Sequence, residues 1–196
     1  LVEMPDAMSA TITSTLQGGK WLEPSTWVGN VVPTQNDDVV ITSAVTANGQ
    51  SYTSTNYQMR NLTVNAGGKI IREKNSGGLS YLTISGNLVN NGEIVDYNDY
   101  FDVDLLGNLV NNGGNLIINS NALNNNGSLI VEGAGTGTGS VTYKRYLEPN
   151  RWFISSPSLN NGFSYTGSRI ATAGDGTYDF APFNEGTNNW DYINPM

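Results

Sequence analysis

Apolar residues in this chain come in short triplets that alternate with polar ones, not in long runs. Leu62-Thr63-Val64 and Leu82-Thr83-Ile84 are typical, and Gly and Asn separate such triplets. Alternation at period two marks half-buried strands, while Gly and Asn favour turns. No stretch sustains the 3.6-residue period of an amphipathic helix. The pattern predicts an all-β chain of many short strands.

The strands belong to a repeat. Ser85-Gly86-Asn87-Leu88-Val89-Asn90-Asn91-Gly92 returns 21 residues later as Leu106-Gly107-Asn108-Leu109-Val110-Asn111-Asn112-Gly113. A worn copy, Leu123-Asn124-Asn125-Asn126-Gly127, follows after a further 14. Upstream, Leu62-Thr63-Val64 matches Leu82-Thr83-Ile84 at a spacing of 20, and Val39-Val40-Ile41 precedes Leu62 by 23. A unit this short cannot bury its own apolar face, but stacked units share a continuous core. The expectation is a short parallel β-helix, a solenoid with one variable side, in which Leu88, Leu109 and Leu123 stack inward. The variable side is expected at Asp96–Asp102, and the tightest coil at 109–123. A β-sandwich is the competing reading, since its strands also recur between turn signals.

Breaks in composition divide the chain into a capping segment at 1–37, the array at 38–133, a Gly/Thr linker at 134–139 and an aromatic β module at 140–196. That last segment holds 11 of the 19 aromatic residues and is small for a core of its own.

Composition narrows the chemistry. Only 13% of the 196 residues are charged, against roughly a quarter in ordinary soluble domains, and Gly (23) and Asn (27) fill the polar positions. A net charge of −8 repels nucleic acid and anionic membrane. Without cysteine or histidine there is no disulfide, no zinc-thiolate site and no Ser-His-Asp triad. No apolar run reaches the roughly 18 residues of a membrane span, and Leu1-Val2-Glu3-Met4-Pro5 does not read as a signal peptide.

The block Trp21-Leu22-Glu23-Pro24-Ser25-Thr26-Trp27-Val28-Gly29-Asn30-Val31-Val32-Pro33, continuing to Ile41, resembles the opening of secreted Bacteroidetes surface proteins of the type IX secretion kind. The Asn-Leu-Val-Asn-Asn-Gly repeats look like the β-helical array that follows in such proteins. Arg145-Tyr146-Leu147 and Arg151-Trp152-Phe153-Ile154-Ser155-Ser156-Pro157 are similar to the aromatic module after it. The resemblance implies an exported chain at the outer cell surface or beyond, its signal removed, and usually a piece of a longer protein. It brings no catalytic residue.

Three groups of residues are candidates for a site. Asn90, Asn91, Asn111, Asn112, Asn124 and Asn125 are expected to stack as a structural ladder at one turn of successive coils. A polar face for sugar or ice is the functional alternative. Asp96, Asp99, Asp102 and Asp104 form the dense acidic group, with Asp99, Asp102 and Asp104 as weak calcium candidates. With the basic Arg60, Lys69, Arg72 and Lys74 they are also the components that a polysaccharide lyase or glycosidase would use. Trp21, Trp27, Trp152 and Trp190 are read as capping or interface residues, with sugar stacking as the alternative. Asn61-Leu62-Thr63 and Asn126-Gly127-Ser128 match the glycosylation sequon, which a bacterial source would leave unmodified.

The expected function is therefore a non-enzymatic extracellular structural or adhesive module, with no cofactor and no membrane insertion. Its expected partners are another extracellular protein, a glycan, or further copies joined through the β-helix ends. The alternatives are a self-assembling filament subunit and a polysaccharide-binding or polysaccharide-degrading β-helix protein.

Overall fold

The computed structural model describes residues 9–48, 54–73, 78–97, 101–122 and 125–144, and the backbone of 183–184 and 189–190. Strands β1 (Thr11–Thr13) and β2 (Gly19–Lys20) open the stack, followed by a 3-10 turn at Pro24–Thr26. The next coil is β3 (Asp38–Ile41), β4 (Ala44–Thr46) and β5 (Thr55–Met59), and above it lie β6 (Asn61–Val64), β7 (Lys69–Arg72) and β8 (Ser80–Ile84). β9 (Leu88–Asn90), β10 (Glu93–Asp96) and β11 (Phe101–Leu105) make the next. Then come β12 (Leu109–Asn111), β13 (Asn115–Ile118), an antiparallel hairpin of β14 (Ser120–Ala122) and β15 (Asn125–Asn126), and β16 (Ser128–Val131). β17 (Gly135–Thr136) and β18 (Ser140–Tyr143) end the stack.

Apart from the β14–β15 hairpin, each strand of the stack pairs in parallel with its counterpart one coil away. The first face runs β1-β3-β6-β9-β12-β17, the second β2-β4-β7-β10-β13-β18, and the third β5-β8-β11-β16. This is a three-sided parallel β-solenoid. It is all-β: among the described residues there is no α-helix. In a separate C-terminal unit, 159–196, β19 (Phe183–Asn184) pairs antiparallel with β20 (Asn189–Trp190).

Parallel stacking aligns like with like. On the first face Val39, Leu62, Leu88 and Leu109 lie one above another, fully or almost fully buried. On the second, Val45, Ile70, Ile94 and Leu116 do the same, and on the third Tyr57, Leu82 and Val103. Each such side chain contributes about 1.5–3 kcal/mol by leaving water.

The registers explain the irregular spacing. The first face repeats at Ile12, Val39, Leu62, Leu88, Leu109 and Gly135. The corner from the second face to the third absorbs most of the variation, through segments 47–54, 73–79, 97–100 and 119–127. Asp96–Asp102 is thus one instance of a corner that varies in every coil.

Several expectations are corrected. Leu62 and Leu82 are not equivalents: Leu62 pairs with Leu88 on the first face, whereas Leu82 pairs with Tyr57 and Val103 on the third. The first and third faces both carry an apolar-polar-apolar triplet here, so local pattern does not say which of them a triplet joins. Leu123 lies outside the described residues, and the position above Leu109 is Gly135. The 14-residue spacing marks a hairpin inserted within a coil, and the tightest coil is the one from Leu88 to Leu109. The stack also overruns both drawn boundaries. β1 and β2 lie within 1–37, and Ala134–Gly139 contains β17 and leads directly into β18.

Two corners carry glycine for a steric reason. A Cβ on Gly107 would stand 2.1 Å from the Gly86 carbonyl oxygen one coil below, and one on Gly92 would stand 2.3 Å from that of Gly68. No side chain fits where backbone rests on backbone.

Candidate functional site

The Asn pairs of the repeat divide between inside and outside, as successive residues of a strand must. Asn90 continues the inward column of Ile41 and Val64, with Asn111 above it. Its Nδ2 donates to Asn111 Oδ1 at 2.9 Å and to the Asn115 carbonyl at 3.2 Å, while its Oδ1 accepts from the Gly92 N–H at 3.3 Å. Asn111 Nδ2 passes the chain on to the Ser140 carbonyl at 3.1 Å. The ladder is thus internal at Asn90 and Asn111. Asn91 is half-buried and Asn112 exposed at the outer corner. Asn125 lies in β15 of the inserted hairpin, away from this register, and Asn124 is outside the described residues.

A second ladder was not anticipated. Asn61 Oδ1 accepts from the Asn87 N–H at 2.8 Å, Asn87 Oδ1 from the Asn108 N–H at 2.9 Å, and Asn108 Oδ1 from the Ala134 N–H at 2.9 Å. The signal was present in the Gly-Asn-Leu-Val repeat, where Asn precedes the inward Leu. Below it, Asp38 accepts from Asn61 and from Arg60, whose Nε lies 2.8 Å away, and the Arg60 hydrogen bond lowers the carboxyl below its ordinary 3.8. Burial would raise Asp37, but bonds from the Thr34 hydroxyl and N–H and from the Ala10 N–H outweigh it and hold Asp37 low too.

The two early tryptophans pack together next to β2 and the 3-10 turn. Trp21 and Trp27 are buried, with ring centroids 5.0 Å apart in a T-shaped contact. Trp27 Nε1 donates to the Trp21 carbonyl at 2.7 Å, and Trp21 also meets the Tyr57 ring at 5.3 Å. Beside them, Trp27 forms an antiparallel bridge with Ser14, just past the end of β1: Thr15 N–H donates to the Thr26 carbonyl and Val28 N–H to the Thr13 carbonyl. Trp152 is outside the described residues, and Trp190 is described by its place in β20 alone.

The charged residues are scattered rather than convergent. Asp102 and Asp104 alternate with inward Val103 on the outer side of the third face, where Asp102 accepts from Ser128 Oγ at 2.6 Å. Asp96 points inward and is fully buried, as is Arg72, its register partner one coil below. Burial lowers the Arg72 pKa, and the Asp96 charge opposes that shift. The Arg72 guanidinium also donates to Ser80 Oγ at 2.6 Å and to the Gly78 carbonyl. Burial pushes the nearby Tyr57 hydroxyl up to about 12. Asp99 and Lys74 are outside the described residues. Among the described residues no group of three or more acidic side chains converges as a metal site.

One open trough runs along the corner between the first and second faces. Its volume is about 400 Å³, and Gly67, Gly68, Asn91, Gly92 and Gly113 line it beside Lys69, Glu93 and Asn115. Lys69 Nζ and Glu93 Oε2 form an ion pair, and the Glu93 hydrogen bond raises the lysine pKa.

The fold and these ladders define the molecule as a parallel β-solenoid. No protein-family model matches the chain, and no curated protein or solved structure does either.

Proposed function

We propose that the chain is a non-enzymatic extracellular module of a bacterial surface protein, serving as a stiff spacer or adhesive element. The observation that carries this reading is the rung-to-rung bonding of side chains in two parallel ladders, Asn90–Asn111–Ser140 inside and Asn61–Asn87–Asn108–Ala134 outside. Such bonds run along the axis and resist separation of coils, which a load-carrying rod needs and a catalyst does not. The extracellular setting rests on the resemblance of Trp21–Ile41 and Arg151–Pro157 to secreted surface proteins.

The antiparallel bridge between Trp27 and Ser14, just beyond β1, supports a monomeric module over a filament subunit. It occupies the part of the strand edge at the Thr13 carbonyl and the Thr15 N–H that a second copy would need for parallel addition at that end. Light scattering should therefore find monomers over a wide concentration range, and a concentration-dependent polymer would favour the filament.

Force spectroscopy between the termini tests the main reading. A cooperative force peak with release in coil-sized steps is expected, and smooth extension without a peak would overturn it. Turnover of polysaccharide that Asp102→Ala or Asp104→Ala abolishes would overturn the non-enzymatic part.

A further inference from the structure

Five Asn-Gly pairs stand in the sequence: Asn48-Gly49, Asn91-Gly92, Asn112-Gly113, Asn126-Gly127 and Asn161-Gly162. The asparagine of such a pair can cyclise, because glycine puts no Cβ beside the backbone nitrogen that attacks the side-chain amide. Gly49 and the pair at 161–162 lie outside the described residues, which leaves three pairs to compare. Asn91-Gly92 and Asn112-Gly113 are identical in sequence, down to the Leu-Val-Asn that precedes each. The solenoid makes them unlike.

The difference is one residue of corner. Asn90 pairs with Asn111 on the first face, and Glu93 with Asn115 on the second. Asn91 and Gly92 alone make the lower corner, whereas Asn112, Gly113 and Gly114 make the upper one. Gly92 and Gly114 occupy the same column, since the Gly92 carbonyl accepts from the Asn115 N–H and the Gly114 carbonyl from the Ser140 N–H. Gly92 is buried there: its N–H donates to Asn90 Oδ1 at 3.3 Å, and a Cβ would stand 2.3 Å from the Gly68 carbonyl oxygen. Gly113 is the extra residue. It and Asn112 are exposed, its φ is +72°, and nothing stands within 4 Å of where a Cβ would be. Its N–H has no hydrogen-bond partner among the described residues. The third pair is closed in another way. The Gly127 N–H donates to the Asn119 carbonyl at 3.0 Å, and a Cβ on this buried glycine would stand 2.6 Å from the Phe101 carbonyl oxygen.

We infer that Asn112 is a self-modification site of the folded protein, converted to aspartate and isoaspartate through a cyclic imide with Gly113. The Gly113 N–H gives its proton to a solvent base, and the nitrogen lone pair forms a bond to Asn112 Cγ. The Cγ–Nδ2 bond then breaks, and the departing nitrogen takes up that proton and leaves as ammonia. Water opens the imide at either carbonyl. Opening at Cγ leaves aspartate, and opening at the Asn112 backbone carbonyl carbon leaves isoaspartate, with the chain running through Cγ. No electron is transferred, and water is the co-reactant. At Gly92 and Gly127 the attacking nitrogen is already bonded and held between coils, so freeing it leaves a buried donor unpaired. At Gly113 nothing has to be freed. The product adds negative charge to a chain already at −8, at a corner residue outside the stack.

The test incubates the full chain in warm, mildly alkaline buffer, once folded and once in concentrated urea. Peptic digestion at low pH halts the reaction, and mass spectrometry of the peptides follows each Asn-Gly pair separately. Isoaspartyl methyltransferase, with its labelled methyl donor, reports the isoaspartate. In the folded protein Asn112 should convert at least about tenfold faster than Asn91 and Asn126, a barrier difference of about 1.4 kcal/mol. In urea the three should convert alike, because each has the same neighbour and none has a fold around it. Asn112→Gln, whose longer side chain closes the ring far more slowly, should remove the fast site, and circular dichroism checks that this variant is folded. Comparable rates at the three sites in the folded protein, faster conversion at Asn91 or Asn126, or the same preference for Asn112 in urea would overturn the inference.

Discussion

Replacing Asn90 by Val removes a buried amide from a column that is apolar two coils below and polar above. Ile41 and Val64 precede it, so a β-branched residue fits the space. The loss falls on the partners. Asn111 Oδ1, buried, forfeits its 2.9 Å donor, the Asn115 carbonyl a 3.2 Å donor, and the Gly92 N–H a weaker 3.3 Å acceptor. A buried group left without a partner costs about 1–3 kcal/mol. With the two longer bonds added, Asn90→Val should cost about 2–4 kcal/mol, partly offset by the added apolar contact. Asn111→Val should cost a similar amount by taking the 2.9 Å acceptor from Asn90 Nδ2, which keeps only its 3.2 Å bond to the Asn115 carbonyl, and by removing the bond to the Ser140 carbonyl. In the double variant the orphaned amides are gone and the column is apolar throughout, so its cost should fall below the sum of the singles by about 1 kcal/mol or more. Urea denaturation followed by far-ultraviolet circular dichroism supplies all four corners of this cycle. Additive losses, equal within about 0.5 kcal/mol, would refute the claim that the two amides act as one ladder.

Three further outcomes follow from packing and titration. Leu109→Ala should destabilise by about 2–5 kcal/mol in the same assay, as a truncation in the fully stacked first-face column. Gly107→Ala should cost about 3 kcal/mol or more, or prevent soluble expression, because its Cβ meets the Gly86 carbonyl, whereas Gly67→Ala meets nothing and should cost only the roughly 1–2 kcal/mol of a left-handed backbone at φ +84°. Asp37 and Asp38 both titrate below their ordinary 3.8 when folded, so their stabilisation is complete above that value and is lost as pH falls through the lower folded ones. The urea midpoint should accordingly be flat from about pH 7 to 5 and fall below about pH 4, with a shallower fall in Asp37→Asn.

Much of the architecture was legible in the chain itself. Period-two triplets, Gly and Asn at their ends, and the octapeptide returning after 21 residues are local signals, and a stacked coil expresses them directly in the pairing of Leu88 with Leu109. Trp21 and Trp27 are both buried, two large rings packed beside a Pro-containing turn. What only the tertiary structure decided was which face each triplet joins. Leu62-Thr63-Val64 and Leu82-Thr83-Ile84 are interchangeable in sequence, yet they lie on different sheets, because the face depends on how many residues each corner consumes. The same holds for charge. Arg60, Lys69 and Arg72 read as one basic patch, but strand alternation and register send Arg60 outward to Asp38, Lys69 outward to Glu93, and Arg72 inward beside Asp96. Sequence determined that the chain stacks, since repetition and alternation are properties of neighbours along it; register across coils of unequal length determined which side chains meet.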